Sequence, residues 1–372
     1  ELGLEQSGHR TMLLSEIDPA AQAVLDVRFA NVPLIPDVRD VSDLRGVDLV
    51  AAGFPCQDLS QAGRTAGING AKSGLVGEVL RLLQEHDPKW LLLENVPFML
   101  SLDGGRGMLY LTARLTQLGF AWAYRVVDTR SFGLPQRRQR VLLLASRSED
   151  PRDVLLVDDA GPPAKASSGH SAYGFYWTEG NRGLGWAVDA VPTLKAGSTL
   201  GIPSPPAVWV PATGQIGTPD IRDAERLQGF PADWTAPAGG NGRSNGARWR
   251  LVGNAVSVPV TRWLGGRLRR PGRYDPSFDA VSRPGERWPR AAWSMGGAVH
   301  RAAVSEWPLA FDRPALMDFL QFPLHDLSRK ATAGFLARAS KSSLRFAPGF
   351  LEAVADHLAR MEARGREHAG AG

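Results

Sequence analysis

Cysteine is almost absent. Cys56 is the single one in 372 residues, which excludes an internal disulfide framework and a cysteine-rich zinc site and leaves one reduced thiol. Lysine is scarce too, six among 43 basic residues. The net charge of +5 fits a polyanionic partner, but the arginine bias reflects base composition as easily as phosphate binding. No run of about 18 apolar residues occurs and no charged-then-apolar leader opens the chain, so neither a membrane span nor a secretory signal is predicted and the protein reads as cytoplasmic. No internal repeat is visible. What is present is enough apolar side chain, 43% of residues, to bury a substantial core over a length that suggests two or three domains.

Residues 1–146 alternate apolar strands with helical segments. Thr11–Ser15, Val47–Ala52, Trp90–Glu94 and Arg140–Ser146 read as strands, and Ala20–Phe29, Val76–His86 and Leu109–Leu118 as helices. Alternation of this kind predicts a doubly wound parallel sheet, an α/β fold. From Arg147 to Gly217 the pattern breaks into Gly, Pro and Ser with scattered aromatics, a small loop-rich second domain. Residues 218–270 start at Thr218-Pro219-Asp220, a cap followed by proline and an acid, and carry helices over Ile221–Gln228 and Pro259–Arg269. The remainder, 271–372, is a Trp- and Arg-richer extension of unassigned role that ends in an amphipathic helix near Leu351–Arg364.

Chemical groups gather at strand ends, where open α/β sheets place their sites. Cys56 follows the strand Val47–Ala52 in Gly53-Phe54-Pro55-Cys56-Gln57, with glycine freeing the backbone and proline fixing it just before the sulfur. Glu94 ends the apolar strand that runs into Asn95-Val96-Pro97, where partial burial favours a carboxyl group that holds or delivers a proton. Glu16 ends another strand, at the place where doubly wound folds hold a ribose hydroxyl. Gln136-Arg137-Arg138-Gln139-Arg140 sets three arginines at the mouth of the last strand. Taken singly, these stretches read as a structural cysteine, a strand-end acid and a solvated charged turn.

Taken together they resemble the cytosine-5 DNA methyltransferase family. Gly53-Phe54-Pro55-Cys56-Gln57 is similar to its nucleophile motif, Glu94-Asn95-Val96 to its Glu-Asn-Val motif, and Gln136 to Arg140 to its Gln-x-Arg-x-Arg motif. Arg226-Leu227-Gln228-Gly229-Phe230-Pro231 and Gly253-Asn254-Ala255-Val256 resemble the two closing motifs, and all five stand in the family's order within residues 1–270. The resemblance implies the S-adenosylmethionine-dependent, Rossmann-like fold: a doubly wound mixed sheet (1–146), a target-recognition domain (147–217) and a segment returning to the catalytic domain (218–270). It implies methyl transfer to C5 of a flipped-out cytosine in duplex DNA, with Cys56 as the nucleophile, Glu94 at the base's N3 edge, and Arg140 and Arg138 as the motif arginines. Gln61–Gly74 would be the loop that closes over the base. For S-adenosylmethionine it implies Glu16 on the ribose, Ile17 on the adenine face, Asp37 and Val38 at the adenine edge, and Pro55, Asn254 and Ala255 completing the pocket. No metal is implied.

The sequence departs from the family pattern twice. Ala255 stands where many members carry serine. The chain opens Glu1-Leu2-Gly3-Leu4-Glu5, similar to the helix that follows the family's Phe-x-Gly-x-Gly cofactor loop; that loop is absent from the sequence, which reads as a truncated chain with an impaired cofactor cradle. A bacterial-type monomer serving restriction-modification or another phage-defence system is expected. An RNA cytosine-5 methyltransferase on the same scaffold, or a non-catalytic DNA-binding remnant, are the alternatives. Eight arginines against three acids over Arg267–Arg301 suit phosphate contacts or an ordinary surface equally.

Overall fold

The computed structural model describes residues 1–55, 74–163, 172–181, 183–197, 205–239, 245–283 and 285–370. The chain forms two compact units. The first comprises Glu1–Phe132, Gln139–Ala164 and Val258–Phe311, and the second Gly133–Arg138, Lys165–Ser257 and Asp312–Gly372. Among the described residues no helix is long and apolar enough to cross a membrane.

In chain order the elements begin with α1 (Leu2–Gln6), β1 (Leu14–Ser15), α2 (Pro19–Arg28) and β2 (Leu34–Ile35). Next come β3 (Leu49–Gly53), α3 (Leu75–Glu85), β4 (Trp90–Asn95), α4 (Arg106–Gln117), β5 (Ala121–Asp128), β6 (Gln136–Arg137), β7 (Gln139–Ser146) and α5 (Arg152–Leu155). The second unit's central part supplies β8 (Tyr173–Phe175), β9 (Ala187–Val188), β10 (Val191–Pro192), β11 (Ala207–Val210), β12 (Gln215–Thr218), α6 (Ile221–Leu227) and α7 (Gly246–Asn254). The chain closes with α8 (Val258–Arg269), β13 (Ala280–Val281), β14 (Ala291–Ser294), β15 (His300–Arg301), α9 (Leu316–Phe319), β16 (His325–Asp326), α10 (Arg329–Ala339) and α11 (Phe350–Gly370).

The first unit is built on a seven-stranded sheet in the order β13-β15-β14-β5-β7-β4-β3. Its sequence alternation works with period two: Leu91, Leu93, Trp122, Tyr124 and Leu143 enter one core with α3 and α4, whereas Trp90, Leu92, Ala123, Leu142 and Leu144 enter the other with α5 and α8. A sheet covered on both faces needs apolar residues at every position, hence the unbroken runs in β4 and β7; each fully buried leucine among them contributes about 2 kcal/mol.

A parallel sheet, which alternation alone predicts, is only part of the outcome. The β3–β4 pair is parallel, but β7 runs antiparallel to both β4 and β5, and β14 is antiparallel to β5. The strand β5 has no counterpart in the sequence reading, because Arg125 interrupts its apolar run. That guanidinium is fully buried, donating to the carbonyls of Ser305 and Asp158 and pairing with Asp159 at 3.0 Å. The Trp- and Arg-rich extension is divided as well. Residues 280–301 add three strands to the first unit's sheet, and Trp288 packs on Trp122 and Tyr124, while residues from Asp312 onward belong to the second unit. There a five-stranded sheet in the order β16-β12-β11-β8-β9 shares a core of Phe175, Trp209, Ile216, Phe335, Phe350 and Val354 with α10 and α11.

Candidate active site

The carboxyl ends of β3 and β4 define the site in the first unit. Gly53 and Glu94 are register partners across this parallel pair, and a Cβ built on Gly53 would lie 3.5 Å from Glu94 Oε2. The carboxylate therefore rests against the backbone three residues before Cys56. Cys56 itself, and residues 61–73 of the glycine-rich segment after it, lie outside the described residues. Phe54, two residues before Cys56 in sequence, is held by Asn95, whose Nδ2 donates to Phe54 O at 2.9 Å while its Oδ1 accepts from Val96 N at 2.8 Å. Asn95 is buried, and Phe54 is anchored in the core beneath it. Pro55, next in the chain, is exposed.

Arg140 approaches Glu94 from β7. Glu94 stands opposite Leu142 in the antiparallel pair, so Arg140, two residues away on the same face, is its diagonal neighbour. Its Nε lies 2.8 Å from Glu94 Oε1 with both side chains about 15% exposed, 14% and 15% respectively, and its Nη1 donates to Gln139 O. A guanidinium and a carboxylate are thus held side by side at a strand mouth, a pair able to receive a polar heterocycle edge.

Arg138 goes elsewhere. It is 1% exposed and belongs to the second unit, where Nη1 donates to Leu194 O at 2.9 Å and Nη2 to Gly253 O at 3.2 Å and Ala255 O at 2.7 Å. Gln136, fully buried on the same side of the chain, donates to Leu227 O and accepts from Leu194 N. Gln228 donates to Val252 O and accepts from Ser257 Oγ. Three of the sequence motifs are in this way stitched together by buried side chains whose partners are mainly backbone carbonyls. The glycine of Gly253-Asn254-Ala255-Val256 has a steric cause: a Cβ there would stand 2.2 Å from the carbonyl carbon of Lys195. Asn254 is exposed and Ala255 half-buried.

The residues predicted to hold a nucleoside cluster at a second strand edge of the first unit. β1 and β2 pair in parallel, Ser15 against Ile35, so Glu16 and Ile17 leave one strand beside Pro36 and Asp37 leaving the other. Glu16 Oε1 accepts from Asp18 N at 2.8 Å, and Oε2 has no partner among the described residues. Ile17 is 66% exposed, an unusual state for isoleucine. Asp37 caps the short helical turn after β2, accepting from Arg39 N at 2.9 Å. Hydrogen bonds from the Arg39 side chain, then from the Arg39 backbone N–H, hold its carboxyl down to about 2. Val38 packs at the edge of the Val41, Leu44 and Leu82 cluster. An exposed apolar side chain flanked by two carboxylates fits a ligand with an apolar face and hydroxyl and amino edges, and a carboxylate has lone pairs for one more donor.

Asn95, Gln136, Gln228 and Ser257 were not singled out from the sequence as functional. The first three sit inside the quoted motifs as polar residues amid apolar ones, which is the signal that marks them; Ser257 carries none.

The proteins to which this chain is similar are methyltransferases. A family model described as C-5 cytosine-specific DNA methylase matches residues 1–170. Type II methyltransferase M2.BsuMI of Bacillus subtilis (strain 168) is 49% identical over 368 residues, covering 95% of this chain and 94% of that one. Type II methyltransferase M.NgoBI of Neisseria gonorrhoeae is 34% identical over 298 residues, covering 70% and 86%. Among solved structures the Dnmt2 methyltransferase of S. pombe superposes with a TM-score of 0.52 at 15% identity, over 72% of this chain and 94% of that one, a likeness of fold. On the strength of the 49% relative matched across nearly its whole length and of the matching family model, this chain belongs to the C-5 cytosine-specific DNA methyltransferase family.

Proposed function

We propose that the chain methylates C5 of a cytosine in a specific duplex DNA sequence, as the modification enzyme of a type II restriction-modification system, acting as a monomer in the cytoplasm. The observation that carries the catalytic reading is the convergence of Gly53, Glu94 and Arg140 at adjoining strand ends immediately before Cys56. Cytosine C5 is a poor nucleophile. A Cys56 thiolate that adds to C6 pushes electron density through the ring, and the addition demands a partner for charge building toward N3. Glu94 supplies that partner at N3 and the exocyclic amine, and Arg140 faces the O2 side. S-adenosylmethionine, when bound, supplies the electrophilic methyl group that C5 takes up. Loss of the C5 proton and departure of the Cys56 thiolate restore the aromatic ring. A base stacked in a duplex cannot present its face to a thiol, so the nucleotide has to be flipped out.

Glu16, Ile17, Asp37 and Val38 are assigned to the nucleoside part of the cofactor, with Pro55 at its methionine side. Arg138 is a positioning residue of the second unit, since its guanidinium is occupied by three carbonyls. Sequence recognition is assigned to the loop-rich region within 147–217; of the segment 218–270, the part up to Ser257 belongs to the second unit and the part from Val258 to the first. The decisive experiment is covalent trapping. Duplex containing 5-fluorocytosine should form a denaturation-resistant adduct with the wild type, because fluorine does not leave as a proton does, and Cys56→Ala should form none while still binding DNA. An adduct that survives Cys56→Ala would overturn the assignment; an adduct formed on tRNA and not on duplex DNA would make RNA the substrate.

A further inference from the structure

We propose that residues 312–367 supply a phosphodiester-binding cleft for duplex DNA, with Arg360 and Arg364 of α11 as its donors; this rests on the reading of the chain as a DNA methyltransferase. The segment is integral to the second unit. β16 pairs with β12, and Phe335, Phe350 and Val354 share one core with Phe175, Trp209 and Ile216. A cavity of 360 Å³ lies between the β11–β12 turn and α11, lined among the described residues by Thr213, Gln215, Asp326, His357, Arg360 and Arg364, with Met361 beside them.

Arg360 and Arg364 are one helical turn apart, so both guanidinium groups face the cavity. His357 forms the floor, 2% exposed and donating from Nε2 to Leu327 O at 2.8 Å. Arg360 is tethered by one bond, Nη2 to Gly214 O at 2.8 Å, and its other N–H groups have no partner among the described residues. Arg364 pairs with Asp326 at 2.6 Å while remaining 60% exposed. Among the residues that line the cavity, two guanidinium groups face one carboxylate, a surplus of one cation. That matches a phosphodiester, which carries one negative charge, better than a phosphomonoester, which carries nearly two at neutral pH. The amide of Gln215, at the start of β12, adds a neutral polar group to the lining. Contacts of this kind position a protein on the duplex without reading its sequence.

The test uses the full chain and a mixed-sequence DNA duplex, with affinity measured across a salt series. Arg360→Gln with Arg364→Gln should weaken binding and reduce the slope of log affinity against log salt by about 0.9 for each phosphate that is no longer neutralised. The methylated sequence, read by bisulfite sequencing, should stay the same. Asp326→Asn keeps both arginines and removes the opposing charge, so it should tighten binding roughly two- to fivefold at low salt; it decides the matter if the double variant does not fold. Unchanged salt slope in a folded double variant, or unchanged affinity in Asp326→Asn, overturns the cleft while leaving the enzyme's function intact. A wild type that neither binds nor methylates duplex DNA overturns the functional reading and the cleft together.

Discussion

Glu94 and Arg140 stand 2.8 Å apart across an antiparallel strand pair, each side chain mostly withdrawn from water. The pair is preorganised by the sheet: neither side chain has to search for the other, and a base edge that enters meets fixed donors and acceptors. Replacing Glu94 by Gln should therefore lower turnover by about 10²- to 10³-fold with little change in S-adenosylmethionine affinity. Single-turnover kinetics and calorimetry on the same variant check both halves, and a large loss of cofactor affinity would place Glu94 in the wrong subsite.

Asn95 ties the strand that carries Glu94 to the backbone that leads to Cys56. Asn95→Ala removes a buried donor from Phe54 O and should cost about 1–3 kcal/mol of stability. Its effect on trapping by 5-fluorocytosine should be larger than on DNA affinity, because Phe54, two residues before Cys56 in sequence, loses the bond that holds it. Equal losses in both would reduce Asn95 to a purely structural role.

Arg138→Met removes the guanidinium that donates to the carbonyls of Leu194, Gly253 and Ala255, of which Ala255 O keeps a longer bond from Gln228 Nε2. The expected cost is about 2–5 kcal/mol, the range for losing one partner of a buried charge-assisted set. Gly253→Ala should also destabilise, since its added methyl would meet the Lys195 backbone, with a cost of about 1–3 kcal/mol or more. Denaturant unfolding measures both. Arg140→Met, by contrast, should lower activity more than stability.

Asp37 supplies a pH test. Its carboxyl is held down to about 2, first by its hydrogen bonds to the Arg39 side chain and then by the Arg39 backbone N–H. A depressed carboxyl pKa contributes stability that is present above about pH 4, the unfolded value, and is lost as pH falls toward about 2. Asp37→Asn should thus lose its stability deficit as acid unfolding proceeds through that window. Above it Asp37 stays ionised, so the variant's deficit in S-adenosylmethionine binding should be the same at pH 6 and pH 8. A deficit that grows between those values would mean that another titrating group accepts the adenine amine.

The order of motifs along the chain was enough to identify the family, because a thiol after a Gly-Phe-Pro turn, a strand-end glutamate and a paired-arginine strand start are local features that chemistry writes into consecutive residues. Strand and helix existence in the first unit was legible for the same reason, through apolar periodicity. The antiparallel course of β7 and the strand β5 were not. Pairing direction depends on which segments meet, and a buried Arg125 disguises an otherwise apolar strand until Asp159 and distant carbonyls are seen around it. Nor could spacing separate Arg138 from Arg140. Two residues apart on one strand start, they look equivalent, and only the packed structure sends one to three backbone carbonyls and the other to Glu94. The division of the last hundred residues between the first unit's sheet and the second unit's core was likewise a tertiary decision. Short strands such as Ala291–Ser294 and amphipathic helices such as α11 advertise that they must be buried, but the face that buries them is chosen by complementary surfaces remote in sequence.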